Sequence, residues 1–361
     1  MNESPIQGRD TAGPLVMDEQ PARRRLADNQ PTTFVEKVKD NIYYMRGRGA
    51  LEIGLIYAAL LAFYFVMYSA DSAGFPFFSS QNLTGTITQA IPTLALLAIG
   101  VGVLMVAGEF DLSVGFVLSF AGIVFIKVAE QQGWVAGFLA AVLAATCAHT
   151  INGLITVYTR IPSFIATLGM GFVWKGASIY AISDMPAVLI QGRTETFTKI
   201  FSGDFGFFRA QLVWLLVLGA IAWFLLHRHR AGNKIYAVGG NAAAAKAVSI
   251  KPNIVKLQSF AFLGLMVGIV SVLIAARSGS MQPTSTENMT LLAIAAAVVG
   301  GCSLTGGRGT IIGMILGAAI IQSISNGLLL ANAPGFYQEA FLGVAIVVAA
   351  IFNKFMEGKA T

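Results

Sequence analysis

The sequence predicts an all-α integral membrane protein of about ten transmembrane helices, some of them short or broken, and three observations carry that prediction. Of 361 residues, 55% are hydrophobic and 12% charged, against about 25% charged in soluble domains. A water-soluble fold has too little interior to hide that much apolar surface. The charges leave ten long gaps along the chain, and glycine occurs 39 times, as fits helices packed closely in lipid and helices interrupted along a path.

A helix needs about 20 mainly apolar residues to cross the hydrocarbon layer, and a charge near its centre costs roughly 2.5–3.5 kcal/mol. Gaps between charges therefore mark the spans. They fall near 53–70, 84–107, 112–129, 134–158, 162–182, 210–227, 255–276, 288–304, 309–330 and 337–353. With the arginine-rich N-terminus inside, the inner connections hold Arg160, then Arg228, Arg230, Lys234, Lys246 and Lys251, then Arg308, and finally Lys354 and Lys359. The outer connections near 71–83 and 331–336 hold no Lys or Arg, the one near 277–287 only Arg277, and 183–209 offsets Arg193, Lys199 and Arg209 with Asp184, Glu195 and Asp204. Both termini are thereby placed in the cytoplasm.

The net charge of +6 is not a nucleic-acid footprint, because eight of the 24 Lys and Arg residues lie within the first 48 positions and read as an orientation signal. That region has four prolines, the run Arg23, Arg24, Arg25 and no signal-peptide core. The expected organisation is a flexible cytoplasmic tail over 1–50, a membrane domain over 51–353 and a cytoplasmic tail over 354–361. Cys147 and Cys302 have no partner at metal-ligand spacing, so neither a zinc site nor a disulfide framework is expected. Two segments echo each other: INGLITVYTRIPSFIATLG (151–169) and SNGLLLANAPGFYQEAFLG (325–343). They sit five spans apart, which gives the copies opposite orientation, as in an inverted repeat. A second pair, GEFDLSVG (108–115) and GGCSLTGG (300–307), has a different offset and falls on one side of the membrane.

The longest inner connection reads RHRAGNKIYAVGGNAAAAKAVSIKPN over 228–253. Asn241 is placed to cap a short alanine-rich helix from Ala242 to about Val248, Gly239 and Gly240 permit a tight turn before it, and Pro252 closes the segment. A small helix on the inner face is what a membrane subunit presents to a soluble motor. Glu109 and Asp111 lie between spans two and three. Gly108 and Gly115, and likewise Gly300, Gly301, Gly306 and Gly307, are candidate helix breaks. The glycines of 300–310 do not form a phosphate loop, since Gly307-Arg308 stands where Lys-Ser/Thr is needed. Lys127 is close enough to the outer interface to snorkel. Lys175 falls mid-span and invites a partner or an aqueous path. His149 fits a hydrogen-bonded packing role, and Asn152, Asn326, Gln322 and Ser323 offer hydroxyl-binding groups or interhelical bonds.

At these segments the chain resembles the permease subunits of bacterial monosaccharide importers of the ribose, xylose and arabinose type, in the ATP-binding cassette class. GEFDLSVG, IPSFIATLG (161–169), IYAVGGN with its alanine-rich helix (235–250), QPT (282–284) and LLAIAAAVVGGCSLTGGRGTIIGMILGA (291–318) carry the likeness. The resemblance implies a type II importer-like homodimer with ten helices per subunit, two cytoplasmic ATPase subunits that bind ATP and magnesium, and a periplasmic sugar-binding protein. It makes this chain a transport subunit of the inner membrane, with no catalysis and no cofactor of its own. It assigns ATPase coupling to Gly239, Gly240, Asn241, Ala245, Lys246 and Ile250. Ala242 and Ala243 stand where the family usually carries acids, and Val248-Ser249-Ile250 replaces its Ser-Gly-Ile. For the translocation path the candidates are Glu109, Asp111, Ser113, Asn152, Lys175 and Asn326. A branched-chain amino acid permease of the same class and an ion-coupled secondary transporter are the competing readings, the latter weakened by the scarcity of buried titratable relays.

Overall fold

The computed structural model describes residues 50–183 and 185–358; the tail expected before Ala50 and residues 359–361 lie outside the described residues. Helices occupy all ten expected stretches. They are α1 (Ala50–Ala70), α2 (Ser80–Val106), α3 (Val114–Gln132), α4 (Trp134–Thr159), α5 (Ser163–Ile182), and, after a short α6 (Glu195–Ser202), α7 (Ala210–His227). Two helices, α8 (Arg230–Gly240) and α9 (Ala242–Ala247), precede α10 (Pro252–Ser278), α11 (Met289–Val299), α12 (Ile311–Leu330) and α13 (Gly335–Gly358). Among the described residues, eight helices are long and apolar enough to cross a membrane. The last helix includes residues 354–358.

One expected span is corrected. The stretch 288–304 contains only the 11-residue α11, about 16 Å at 1.5 Å per residue and half a bilayer. Gly300 caps it, and the chain then turns through Gly301 at φ +82°. The missing half is supplied by 280–288, which runs alongside α3: Met281 packs at Gly122, and Thr286 and Glu287 lie against Gly115, near the start of that helix. Non-helical backbone at this depth is tolerated only where protein covers it or water reaches it.

Burial ranks the helices. In the 18-residue apolar windows of α2 and α10, 83% and 78% of residues are buried, against 17% for α1 and 22% for α5. The first pair is the core, packed against α3, α4 and α12, and helices apolar all round are what such a core needs. The segment 183–209 is less open than its composition predicts. Capped by Thr194, α6 buries Phe197 and Phe201 among Phe125, Trp134, Phe138 and Trp214. A two-residue strand β1 (Ala187–Val188) pairs antiparallel with β4 (Ser280–Met281), and β2 (Asp204–Phe205) pairs with β3 (Phe208–Arg209). Glu130 fixes the neighbouring backbone, accepting from the amides of Ile190, Gln191 and Gly192 at 2.7, 3.0 and 3.0 Å.

The echoed segments fold alike. Each is a helix, one non-glycine residue in the left-handed region, a proline two residues on, and a second helix: Arg160 (φ 62°) with Pro162, and Asn332 (φ 54°) with Pro334. The first turn lies at the bundle end reached by Phe110, whose amide donates to Ser163 Oγ. The second lies at the opposite end, since α12 finishes beside Arg277 at the end of α10.

A coupling junction and a polar knot as candidate functional sites

On the end of the bundle that carries α8 and α9, three glycine segments meet. After α2 ends at Val106 the chain turns at Gly108 (φ +86°); the stretch after α11 turns at Gly301, Gly306, Gly307 and Gly309. Between them sit the last two residues of α8. The Gly307 amide donates to the Val106 carbonyl at 2.9 Å. A Cβ added to Gly239 would lie 1.8 Å from that carbonyl oxygen and 2.7 Å from the Gly307 nitrogen. Gly239 and Gly240 thus do not make the expected tight turn: both are helical, and the turn into α9 is made by Asn241 (φ −159°, ψ 99°). Gly115 and Gly300 likewise have negative φ and serve close approach, with carbonyls of Thr286 and of Gly313 where a side chain would stand.

Asn241 Oδ1 accepts from the Ala244 amide at 2.9 Å, the expected cap, and α9 ends at Ala247. Its exit has the 6→1 and 5→2 bonds of a Schellman motif, Ile250 N to Ala245 O and Ser249 N to Lys246 O, both 3.1 Å. Ser249 stands in the left-handed position (φ 64°), where the resemblance places glycine. Ser249→Gly is therefore expected to stabilise this exit by about 1 kcal/mol, read as stronger hydrogen-exchange protection of Ser249–Ile250. Ala245 is buried with Val238 and Val255, and Ile250 packs on them. Lys246 and Val248 face outward.

Four polar side chains form a buried knot between α3, α4 and α5. Asp111 Oδ2 lies 2.8 Å from His149 Nδ1, and its Oδ1 accepts from the Ser113 amide and hydroxyl at 2.7 and 2.5 Å. Asn152 Nδ2 donates to Ser113 Oγ at 2.7 Å, and Trp174 Nε1 to Asn152 Oδ1 at 3.3 Å. None of Asp111, Ser113, His149 or Asn152 is more than 1% exposed. A carboxylate so enclosed persists only because its lone pairs are met by donors. The helix break is further held by Leu112 N to Thr167 Oγ1 and by Glu109, 2.5 Å from Lys256 Nζ on α10.

The other path candidates lie elsewhere. Lys175 finds its partner in Glu287 at 2.7 Å, the pair about 30% exposed on the half-helical crossing (28% and 32%). Thr286 and Thr290 bind that crossing to the start of α3, through Gly115 and Ser119 at 2.7 Å each. Asn326 is far from the knot, exchanging amide hydrogen bonds of 3.0 Å with Asn82. Lys127 donates to the Ala181 carbonyl. The residues that sequence reading leaves out are Lys256, Glu287, Thr286, Thr290, Asn82 and Trp174. Of these, only the acidic, hydroxyl-rich run TSTEN (284–288) carried a visible signal.

Comparison with known proteins fits this geometry. Residues 82–350 match the family model described as branched-chain amino acid transport system / permease component. The ribose import permease RbsC of Escherichia coli strain K12 is 34% identical over 283 residues, 77% of this chain and 87% of that protein. The D-allose transport system permease AlsC of the same strain is 31% identical over 283 residues, covering 77% and 85%. The L-arabinose ABC transporter permease AraH of Azospirillum brasilense is 29% identical over 314 residues, covering 86% and 91%. With the family model spanning most of the chain and such relatives matching nearly end to end, the chain is a multi-pass membrane transport component that belongs to the permease family of branched-chain amino acid type transport systems, alongside the sugar permeases of ATP-driven importers.

Proposed function

We propose that this chain is the membrane-spanning permease of an ATP-driven importer for a monosaccharide or polyol. It works as a homodimer in the bacterial inner membrane, with both termini cytoplasmic. A periplasmic binding protein delivers the sugar and two cytoplasmic ATPase subunits hold the ATP and magnesium. One observation carries the reading: α8 and α9 are wedged, through Gly239, against both helix breaks at once. An element that touches a soluble motor on one side and two interrupted helices on the other can turn a small push into a change of access.

Relatives named for ribose, D-allose and L-arabinose favour a sugar over a branched-chain amino acid. An ion-coupled carrier would need a titratable group open to water along its path. Here Asp111 is closed in by its donors, and Lys175 and Glu287 neutralise each other. The path residues we favour are Lys175 with Glu287 and the half-helical crossing, and Asn326 towards the periplasm. Asp111, Ser113 and Asn152 act as the anchor of the moving break.

The test is co-purification with a candidate ATPase, then hydrolysis in proteoliposomes with and without sugar-loaded binding protein. Asn241→Pro removes the amide that bonds Ala237 and the side-chain cap of α9. It is expected to abolish the stimulation while leaving membrane insertion intact. Stimulation that survives this change would take α9 out of the mechanism.

A further inference from the structure

At the bundle end opposite the junction, a groove of about 450 Å³ opens between the first turns of α2 and the last turns of α12. That size lies within the roughly 300–1,000 Å³ of small-molecule sites. Gln81, Asn82 and Thr86 line it from α2, Gln322 and Asn326 from α12, and Arg277 from the end of α10. No carboxylate lines it. Gln81, Gln322 and Arg277 make no side-chain hydrogen bond among the described residues, whereas Asn82 and Asn326 bond each other and Asn82 is steadied by the Phe77 carbonyl at 2.8 Å. Leu329 and Leu330 supply an apolar wall.

Deepening the importer reading and resting on it, we infer that this groove is a sugar-receiving subsite, specific for neutral polyhydroxy compounds. A sugar hydroxyl both donates and accepts, and a primary amide offers both roles in one plane. Four amides around one groove match a ring of hydroxyls, and the leucines match its C–H face. An amino acid would need a carboxylate beside Arg277 to receive its ammonium group, and the lining has none. The Asn82–Asn326 pair satisfies both amides when no sugar is present, and hydroxyls can replace each half without leaving a polar group unmet. Directly beyond, α2 passes through a π turn over Thr86–Ala90. Such turns interrupt helices at functional sites, and this one lets the groove-lining end of α2 shift apart from its buried remainder.

The experiment reconstitutes the full complex, permease with its ATPase and binding protein, and measures sugars moved per ATP hydrolysed with labelled D-ribose, D-allose, L-arabinose and, as control, L-leucine. Wild type that moves none of the sugars sinks the importer reading and this inference with it. Where wild type moves a sugar, Gln322→Ala and Asn326→Ala are expected to lower the ratio about tenfold, the worth of one or two such bonds. Gln322→Ala breaks no side-chain hydrogen bond among the described residues, so its folding is not at stake. A ratio unchanged in both variants, whether both rates hold or both fall together, overturns the subsite.

Discussion

Gly239→Val is expected to reduce binding-protein-stimulated ATP hydrolysis to its basal rate and uptake by at least about a hundredfold, while Gly240→Ala stays near wild type. Around the first glycine there is no room, the Val106 carbonyl oxygen being 1.8 Å from where Cβ would sit; around the second there is nothing within 4 Å. A branched side chain at 239 must push α8 off the loop at 106–108, breaking the Gly307–Val106 hydrogen bond. Interiors at close-packed density do not absorb such a shift smoothly. Overpacking of this kind costs about 1–3 kcal/mol or more, and the cost falls on the junction at the last residue of α2 while the rest of that helix and α10 are untouched. Matching membrane levels with lost stimulation is the pattern to look for. Full coupling in Gly239→Val, or equal damage from Gly240→Ala, would mean that contact between α8 and the two breaks does not transmit force.

The junction has two outputs in the chain. From Gly108 the backbone runs within three residues into Asp111 and its knot, which grips α4 and α5. From Gly306, Gly307 and Gly309 it runs into α12, whose far end carries Gln322 and Asn326. A push on α9 therefore reaches the half-helical crossing through α3 and Gly115, and the groove through α12, by rigid helices and packed contacts. Which of the two outputs moves more is accessible to distance measurements between labels placed on α9 and at either end.

Most of the helix map was legible because lipid leaves a chain few choices: charge gaps of bilayer length become helices of that length, and nine of the ten stretches did. The exception, 288–304, failed for a local reason. Its apolar run continues through Val298-Val299, but Gly300 and Gly301 end the helix, and the polar TSTEN run before it is read by a charge count as an outer loop. Only its packing against Gly115 and Ser119 shows it to be part of the crossing. The inner helix α9 was legible from Asn241 and the alanines, since capping is local chemistry. The second inner helix, α8, was hidden by its glycines, of which Gly232 and Gly239 serve close contact and not flexibility. The pairs Lys175–Glu287, Lys256–Glu109 and Asn82–Asn326 span 112, 147 and 244 positions, so no local pattern could join them.

Asp111→Ala should be the most destabilising single change in the polar interior. It leaves the His149 ring nitrogen and the Ser113 amide and hydroxyl without their acceptor in a region at most 1% exposed, while Asn152 keeps its bond to Ser113 Oγ. Leaving buried hydrogen-bonding groups unmet costs about 1–3 kcal/mol each, and a thermal midpoint in detergent lower by on the order of 5–10 °C is expected. The knot also predicts how the loss combines. Once Asp111 is gone, His149 is a buried polar ring with nothing to bond, so adding His149→Leu should recover part of the stability, since replacing both partners by apolar groups approaches neutrality. The double variant is therefore expected to be more stable than the sum of the two single losses by at least about 1 kcal/mol. Strict additivity in the melting of Asp111→Ala, His149→Leu and the pair would mean that the two side chains stand next to each other without holding the break between α2 and α3 in place.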